Sequence, residues 1–132
     1  MRFYSLIQLA ILLLVALQGT RCPRNAERLA ASQLQHMAAR VQSYRADCGS
    51  YPVGLQDLVR SHGCGTWLGP YVRTSALADP WKHPIRYATA PLGLGFAICT
   101  LGADGRSGGN GNNVDACVLN LGGESLASRA DT

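Results

Sequence analysis

The chain has 132 residues, of which 47% are hydrophobic and 15% are charged, and its formal net charge is +4 at pH 7. This length gives room for one compact domain with a small core. The 12 basic residues are scattered, with no basic run and no basic stripe among aromatic residues, which argues against nucleic acid as a partner.

The N-terminal residues have the layout of an export signal or of a short membrane anchor. A positive charge at Arg2 precedes an apolar block over residues 9–17. That block is shorter than the roughly 20 apolar residues of a spanning helix, so residues 1–22 fit either a signal peptide or an anchor in the inner membrane. Cys22 allows a third reading, lipid attachment, although Arg21 stands where such a signal has a small residue. All three readings place the folded part outside the cytoplasm.

A helix is predicted from Arg24 to about Asp47, because its apolar residues recur at spacings of three or four. The apolar face consists of Ala30, Leu34, Met37, Val41 and Tyr44. Pro23 suits the start of this helix and Gly49 suits its end. A loop-rich middle follows, with one short apolar piece at Leu55–Val59 and with order expected from its aromatic side chains.

Three strands are predicted after this middle, at Ile85–Ala88, Gly95–Leu101 and Ala116–Leu121. Residues 122–132 are predicted to be a flexible tail. Residues 23–121 then form one α+β domain, in which an N-terminal helix packs on a small antiparallel sheet.

Four cysteines lie outside the N-terminal segment, and an even number in an exported domain of this size indicates disulfides. They are Cys48, Cys64, Cys99 and Cys117. Three pairings are possible, and the local one, Cys48 with Cys64 and Cys99 with Cys117, is favoured because neither bridge then crosses the other. A metal site built on cysteine is not expected, since there is no CxxC pair and the three histidines lack ligand-like spacing.

Residues 101–117, "LGADGRSGGNGNNVDAC", form a glycine- and asparagine-rich run between two of these cysteines. Asp104 and Asp115 offer hard oxygen ligands, and the glycines let backbone carbonyls turn inward, which together suit Ca²⁺. Amide oxygens are available from Asn110, Asn112 and Asn113. The spacing is not that of an EF-hand. The alternative is a turn-rich loop that the cysteines alone hold at its base.

The stretch "DPWKHPIRY" is interpreted as a turn that leads into a strand. Trp81 is expected to be a buried anchor, and His83 a solvated turn residue. An enzyme is not expected, because no Ser or Cys has a base in a known motif and no carboxylate pair is arranged for acid–base chemistry. Cys64, close to His62 in sequence, is better explained as a disulfide partner.

Taken together, the motifs resemble the periplasmic domain of the major pseudopilin of the type II secretion system. Those that match, in the same order along the chain, are "DCGSYP", "GLQDLV", "GPYV", "DPWKHPIRY", "ICTLGADG" and "GGNGNNVDA". The resemblance covers roughly Leu34 to Ala116, and the order of several short motifs makes it specific.

The resemblance implies a pilin-like domain whose last loop binds Ca²⁺. Its ligands would be Asp104, the backbone carbonyl of Leu101, and Asp115, with Asn113 as a further candidate. It also implies a non-enzymatic subunit that assembles with copies of itself and with other pseudopilin-like subunits into an extracytoplasmic fibre supporting protein secretion.

Two departures from the family pattern lie in the leader, where Phe3 takes the place of the Gly before the cut and Gln8 that of the Glu after it. They keep an alternative open, a secreted or lipid-anchored periplasmic binding module with a pilin-like fold that does not assemble. Cys99 and Cys117 flank the candidate ion loop. We expect their disulfide to supply part of the order that calcium provides in relatives, since closing such a loop contributes about 3 kcal/mol.

Overall fold

The computed structural model of the chain describes residues 23–122 and 124–129. The predicted signal peptide or anchor at residues 1–22 lies outside these ranges. Within them, no helix is both long enough and apolar enough to cross a membrane.

The described chain folds as one helix followed by an antiparallel sheet of four strands, which confirms the predicted α+β class. The helix is α1, Pro23–Cys48, and the strands are β1, Arg86–Thr89; β2, Gly95–Thr100; β3, Ala116–Leu121; and β4, Glu124–Arg129. Their order in the sheet is β1-β2-β3-β4, so that each strand pairs with its neighbour in sequence.

The apolar face of α1 is the one that its sequence predicts, because all five residues of the stripe are at most 5% exposed. Four of the five, all except Ala30, belong to one core cluster with Phe96, Ile98 and Val118 on β2 and β3, each of which is at most 2% exposed. The helix ends where Gly49 takes a φ of 80°, a conformation that favours glycine, and donates its N–H to the carbonyl of Arg45 at 2.8 Å.

The loop-rich middle is ordered by aromatic packing, as expected. The ring of Tyr51 lies 5.1 Å from that of Phe96, and the ring of Trp67 lies 5.8 Å from that of Tyr71. The indole N–H of Trp67 donates to the carbonyl of Asp57 at 2.9 Å. The prediction of a buried anchor at Trp81 is wrong, since this side chain is only half-buried and lies outside the core cluster.

The predicted tail contains a strand instead. β4 pairs with β3 in a register that places Glu124 opposite Leu121. Gly122 has a φ of 65°, and a Gly-Gly pair between two strands is a strong hairpin signal. The polar composition of this segment suggested a tail, but pairing with the open edge of β3 satisfies its backbone hydrogen bonds.

Both disulfides follow the local pairing that the sequence favours. Cys48–Cys64 ties the end of α1 to the middle of the chain, and Cys99–Cys117 joins directly opposed residues of β2 and β3. The Cys48–Cys64 bridge leaves Cys64 without a thiol for nucleophilic chemistry. His62, its neighbour in sequence, instead places Nδ1 2.6 Å from Oδ1 of Asp57.

Candidate metal centre

The glycine- and asparagine-rich run is the connection between β2 and β3, and we call residues 101–115 the loop. The last pair of the ladder below it is Thr100 with Ala116. Leu101 and Asp115 therefore flank the next position, so the hairpin brings these two predicted ligands to the same end of the loop.

We call residues 101–106 of the loop its near arm and residues 110–115 its far arm. Close backbone packing brings the far arm back onto the near arm. The N–H of Ala103 donates to the carbonyl of Asn112 at 2.8 Å. Gly102, with a φ of 73°, lies so near the far arm that a Cβ on it would stand 2.8 Å from the carbonyl oxygen of Asn113. Only glycine fits this approach. As a result, Asn113 lies beside Gly102, close to the base of the loop.

The two carboxylate oxygens of Asp115 lie in different environments. Its Oδ2 accepts a hydrogen bond from the N–H of Gly108 at 2.9 Å. Its Oδ1 is buried and has no hydrogen-bond partner among the residues that the structure describes. A buried carboxylate oxygen without a hydrogen bond lowers the stability of the folded state, and a bound cation would offset that loss.

Asp104 lies on the near arm, where it is exposed and its Oδ1 accepts a hydrogen bond from the N–H of Arg106 at 3.1 Å. Among the described side chains, no three of His, Cys, Asp and Glu come together as a metal cluster. A centre here would thus combine at most two carboxylates with amide and carbonyl oxygens. Such a donor set suits Ca²⁺ and does not suit a transition metal.

A buried carboxylate outside the loop fixes the end of β2 from which the loop departs. Asp79 is 3% exposed, and its Oδ2 accepts a hydrogen bond from Oγ1 of Thr100 at 2.6 Å. Its Oδ1 accepts from the N–H groups of Trp81 at 3.0 Å and of His83 at 2.9 Å. Residues 79–83 thus form a tight turn, called here the Asp79 turn, that is bonded to the last residue of β2.

His83 is a turn residue with a side chain that is 37% exposed, in line with the prediction, but it also makes contacts that were not predicted. Its Nδ1 lies 3.2 Å from the carbonyl oxygen of Gly102, and its ring lies against Gly105. The Asp-Pro signal predicts a turn at this place but not the surface on which the turn packs, so the sequence gives no sign of this contact.

In the part of the chain that the structure describes, one α-helix packs on a small antiparallel sheet with a disulfide-based loop between its two central strands, which defines a pilin-like α+β domain. The chain belongs to the family described as type II secretion system protein G, which its residues 20–119 match. It is 36% identical over 121 residues to a type II secretion system core protein G of Xanthomonas campestris pv. campestris, covering 84% of this chain and 85% of that protein. The protein of the same name from Pseudomonas aeruginosa is 29% identical over 94 residues, or 66% of each chain.

Membership of this family makes the chain a pseudopilin subunit of protein secretion and not an enzyme. It is an exported protein of the periplasm that assembles with other pseudopilin subunits.

Proposed function

We propose that this pseudopilin subunit binds Ca²⁺ in the loop, and that the ion fixes the loop in the form in which the subunit joins its fibre. We propose further that the N-terminal segment anchors the subunit in the inner membrane.

The observation that carries the calcium proposal is the buried Oδ1 of Asp115, for which no described residue is a hydrogen-bond partner. It lies at the base of a loop whose two arms meet through the hydrogen bond between Ala103 and Asn112. A cation at this place would draw on the charge of Asp115, on the backbone carbonyl of Leu101 and on the amide oxygen of Asn113. Asp104 would complete the set from the near arm, with a second negative charge.

The ion would supply charge neutralisation and a link between the two arms. The shape of the loop comes from residues of the chain itself. Gly102 allows the close approach of the arms, and Asp115 already holds Gly108 through one carboxylate oxygen while the other stays available.

Asp115→Asn tests this proposal, because it keeps the shape of the side chain and removes its charge. The unchanged chain should gain thermal stability when calcium replaces a chelator, by about 2.7 kcal/mol at a calcium concentration of 100 times Kd. Asp115→Asn should lose most of that gain, and titration calorimetry should show its calcium affinity reduced.

The matched control is Glu27→Gln, which removes the same charge from α1. It should keep the full calcium response. If calcium adds no stability to the unchanged chain, or if Asp115→Asn keeps the full gain, the loop is not a calcium site.

A further inference from the structure

His83 contacts the near arm of the loop at two points. Its Nδ1 lies 3.2 Å from the carbonyl oxygen of Gly102. Its ring covers Gly105 so closely that a Cβ there would stand 3.2 Å from Cε1 and Nε2 of the imidazole. Since a carbonyl oxygen can only accept, the hydrogen bond needs its proton on Nδ1.

The backbone of His83 is itself held firmly. Its N–H donates to Oδ1 of Asp79 at 2.9 Å, and its carbonyl accepts from the N–H of Asp79 at 2.8 Å. Asp79 in turn accepts from Thr100 on β2. The imidazole therefore projects from a turn that is fixed to the sheet, and not from a free loop.

The carbonyl of Gly102, and not the nearby carboxylate, is the hydrogen-bond partner of the ring. Nδ1 lies 3.9 Å from Oδ2 of Asp79, which is too far for a hydrogen bond. That oxygen already accepts from Thr100 at 2.6 Å. Gly102 directly follows Leu101, and Gly105 directly follows Asp104, so the two contacts of His83 lie next to two of the proposed ligands.

From this geometry we propose that His83 is a positioning residue for the loop. It clamps residues 102–105 onto the Asp79 turn and holds the near arm in place before any ion binds. The clamp goes beyond the proposed calcium function, because its contacts are formed by the chain alone.

Trypsin cleavage after Arg106, which is exposed just beyond the clamp, measures the order of the near arm. The full chain is digested in chelator with its disulfides intact, and cleavage after Arg106 is measured relative to cleavage after Arg60, an exposed site in the middle of the chain. His83→Ala should raise this ratio about fivefold, the factor that one hydrogen bond of ordinary strength contributes.

Two further variants separate the two contacts. His83→Asn keeps a donor at the position of Nδ1 and loses the ring, whereas His83→Phe keeps the ring and loses the donor. Each should give a ratio between those of the unchanged chain and His83→Ala. The control is His36→Ala, which removes an exposed histidine from α1 and should leave the ratio unchanged. An unchanged ratio in His83→Ala, or equal increases at both arginines, would overturn the clamp.

Repeating the digestion at a series of calcium concentrations is a second experiment, which rests on the proposed calcium function. There, His83→Ala should need about five times more calcium for half-maximal protection, because the ion must then order the near arm itself. If calcium protects none of the variants, the calcium proposal fails, while the digestion in chelator still decides whether the clamp exists.

Discussion

The hydroxyl of Tyr87 joins the sheet to the segment that follows α1. It donates to the carbonyl of Pro52 at 2.8 Å, and its ring lies 6.2 Å from that of Phe96. Burial raises the pKa of Tyr87 well above its usual value of 10.0, and the charges of Tyr51 and Asp57 raise it further. Burial also raises the pKa of Tyr44, with Asp57 again adding to the effect. These phenols are neutral in the fold and ionise more easily once it opens.

These shifts predict a loss of stability in alkali. A phenol whose pKa is higher in the folded state contributes stability that is complete below about pH 10 and is lost as the pH rises toward the folded pKa. At pH 8, Tyr87→Phe should cost about 1 kcal/mol, because the carbonyl of Pro52 loses its donor. Between pH 10 and 11 the difference in free energy of unfolding between the unchanged chain and Tyr87→Phe should become smaller, since the variant has one fewer phenol to ionise. Urea unfolding at a series of pH values measures this, and a constant difference from pH 8 to 11 would contradict it.

At the scale of elements, the sequence predicts most of the fold because the residues that end helices and strands agree with the apolar periodicity between them. The stripe on α1 and the glycine after it give the helix and its end, and β3 lies at Ala116–Leu121 as predicted. β1 begins and ends one residue later than predicted. β4 is missed because Glu124–Arg129 has little apolar alternation, so that only the Gly-Gly pair before it signals a hairpin.

The candidate site is predictable only in part. Leu101 and Asp115 lie at the same end of the loop because each is next to the last pair of the hairpin, Thr100 with Ala116, and strand prediction alone implies this. The contact of His83 with Gly102 joins residues 19 apart through the packing of a turn on a loop, and no local pattern encodes it. Calcium binding itself stays a prediction.

The two disulfides allow a matched test at this scale, because they close segments of similar length, 16 and 18 residues. Replacing either pair with alanine should lower the free energy of unfolding by about 3 kcal/mol. Only the loss of Cys99–Cys117 should make the order of the loop more dependent on calcium than it is in the unchanged chain. In that variant, cleavage after Arg106 should be fast in chelator and slow in calcium, whereas the loss of Cys48–Cys64 should leave the calcium response as it is in the unchanged chain.

An equal calcium response in the two disulfide variants would contradict our hypothesis that the bridge at the base supplies part of the order of the loop. Thermal unfolding of both variants in chelator serves as the check that each is folded at the temperature of digestion.

At the scale of the whole molecule, the helix and the sheet give the domain two distinct ends. Nε2 of Gln33, in the N-terminal half of α1, donates to the carbonyls of Ala76 at 3.1 Å and Ala78 at 2.6 Å. These lie next to Asp79, and hence next to the end of β2 that leads into the loop. Tyr51, just after the other end of α1, packs on Phe96 near the start of β2. The loop therefore lies at the end of the domain nearer the N-terminal half of the helix.

Because the loop lies at this end of the domain, an N-terminal anchor would decide how far the loop is from the membrane. If residues 1–22 anchor the subunit, the loop lies at the end of the domain nearer the membrane. We expect the chain recovered from cells to lie in the membrane fraction and to keep the apolar block at residues 9–17. Its intact mass, measured before and after alkylation, gives the result directly.

Alkylation sharpens this measurement because the four cysteines of the domain are paired with one another. An anchored chain that keeps a free Cys22 should take up one alkyl group without reduction and all five after reduction. A lipid on Cys22 would appear as added mass and would block the first alkylation. A soluble periplasmic chain that starts between residues 18 and 22 would contradict the anchor, since export would then have removed the segment that holds the subunit at the membrane.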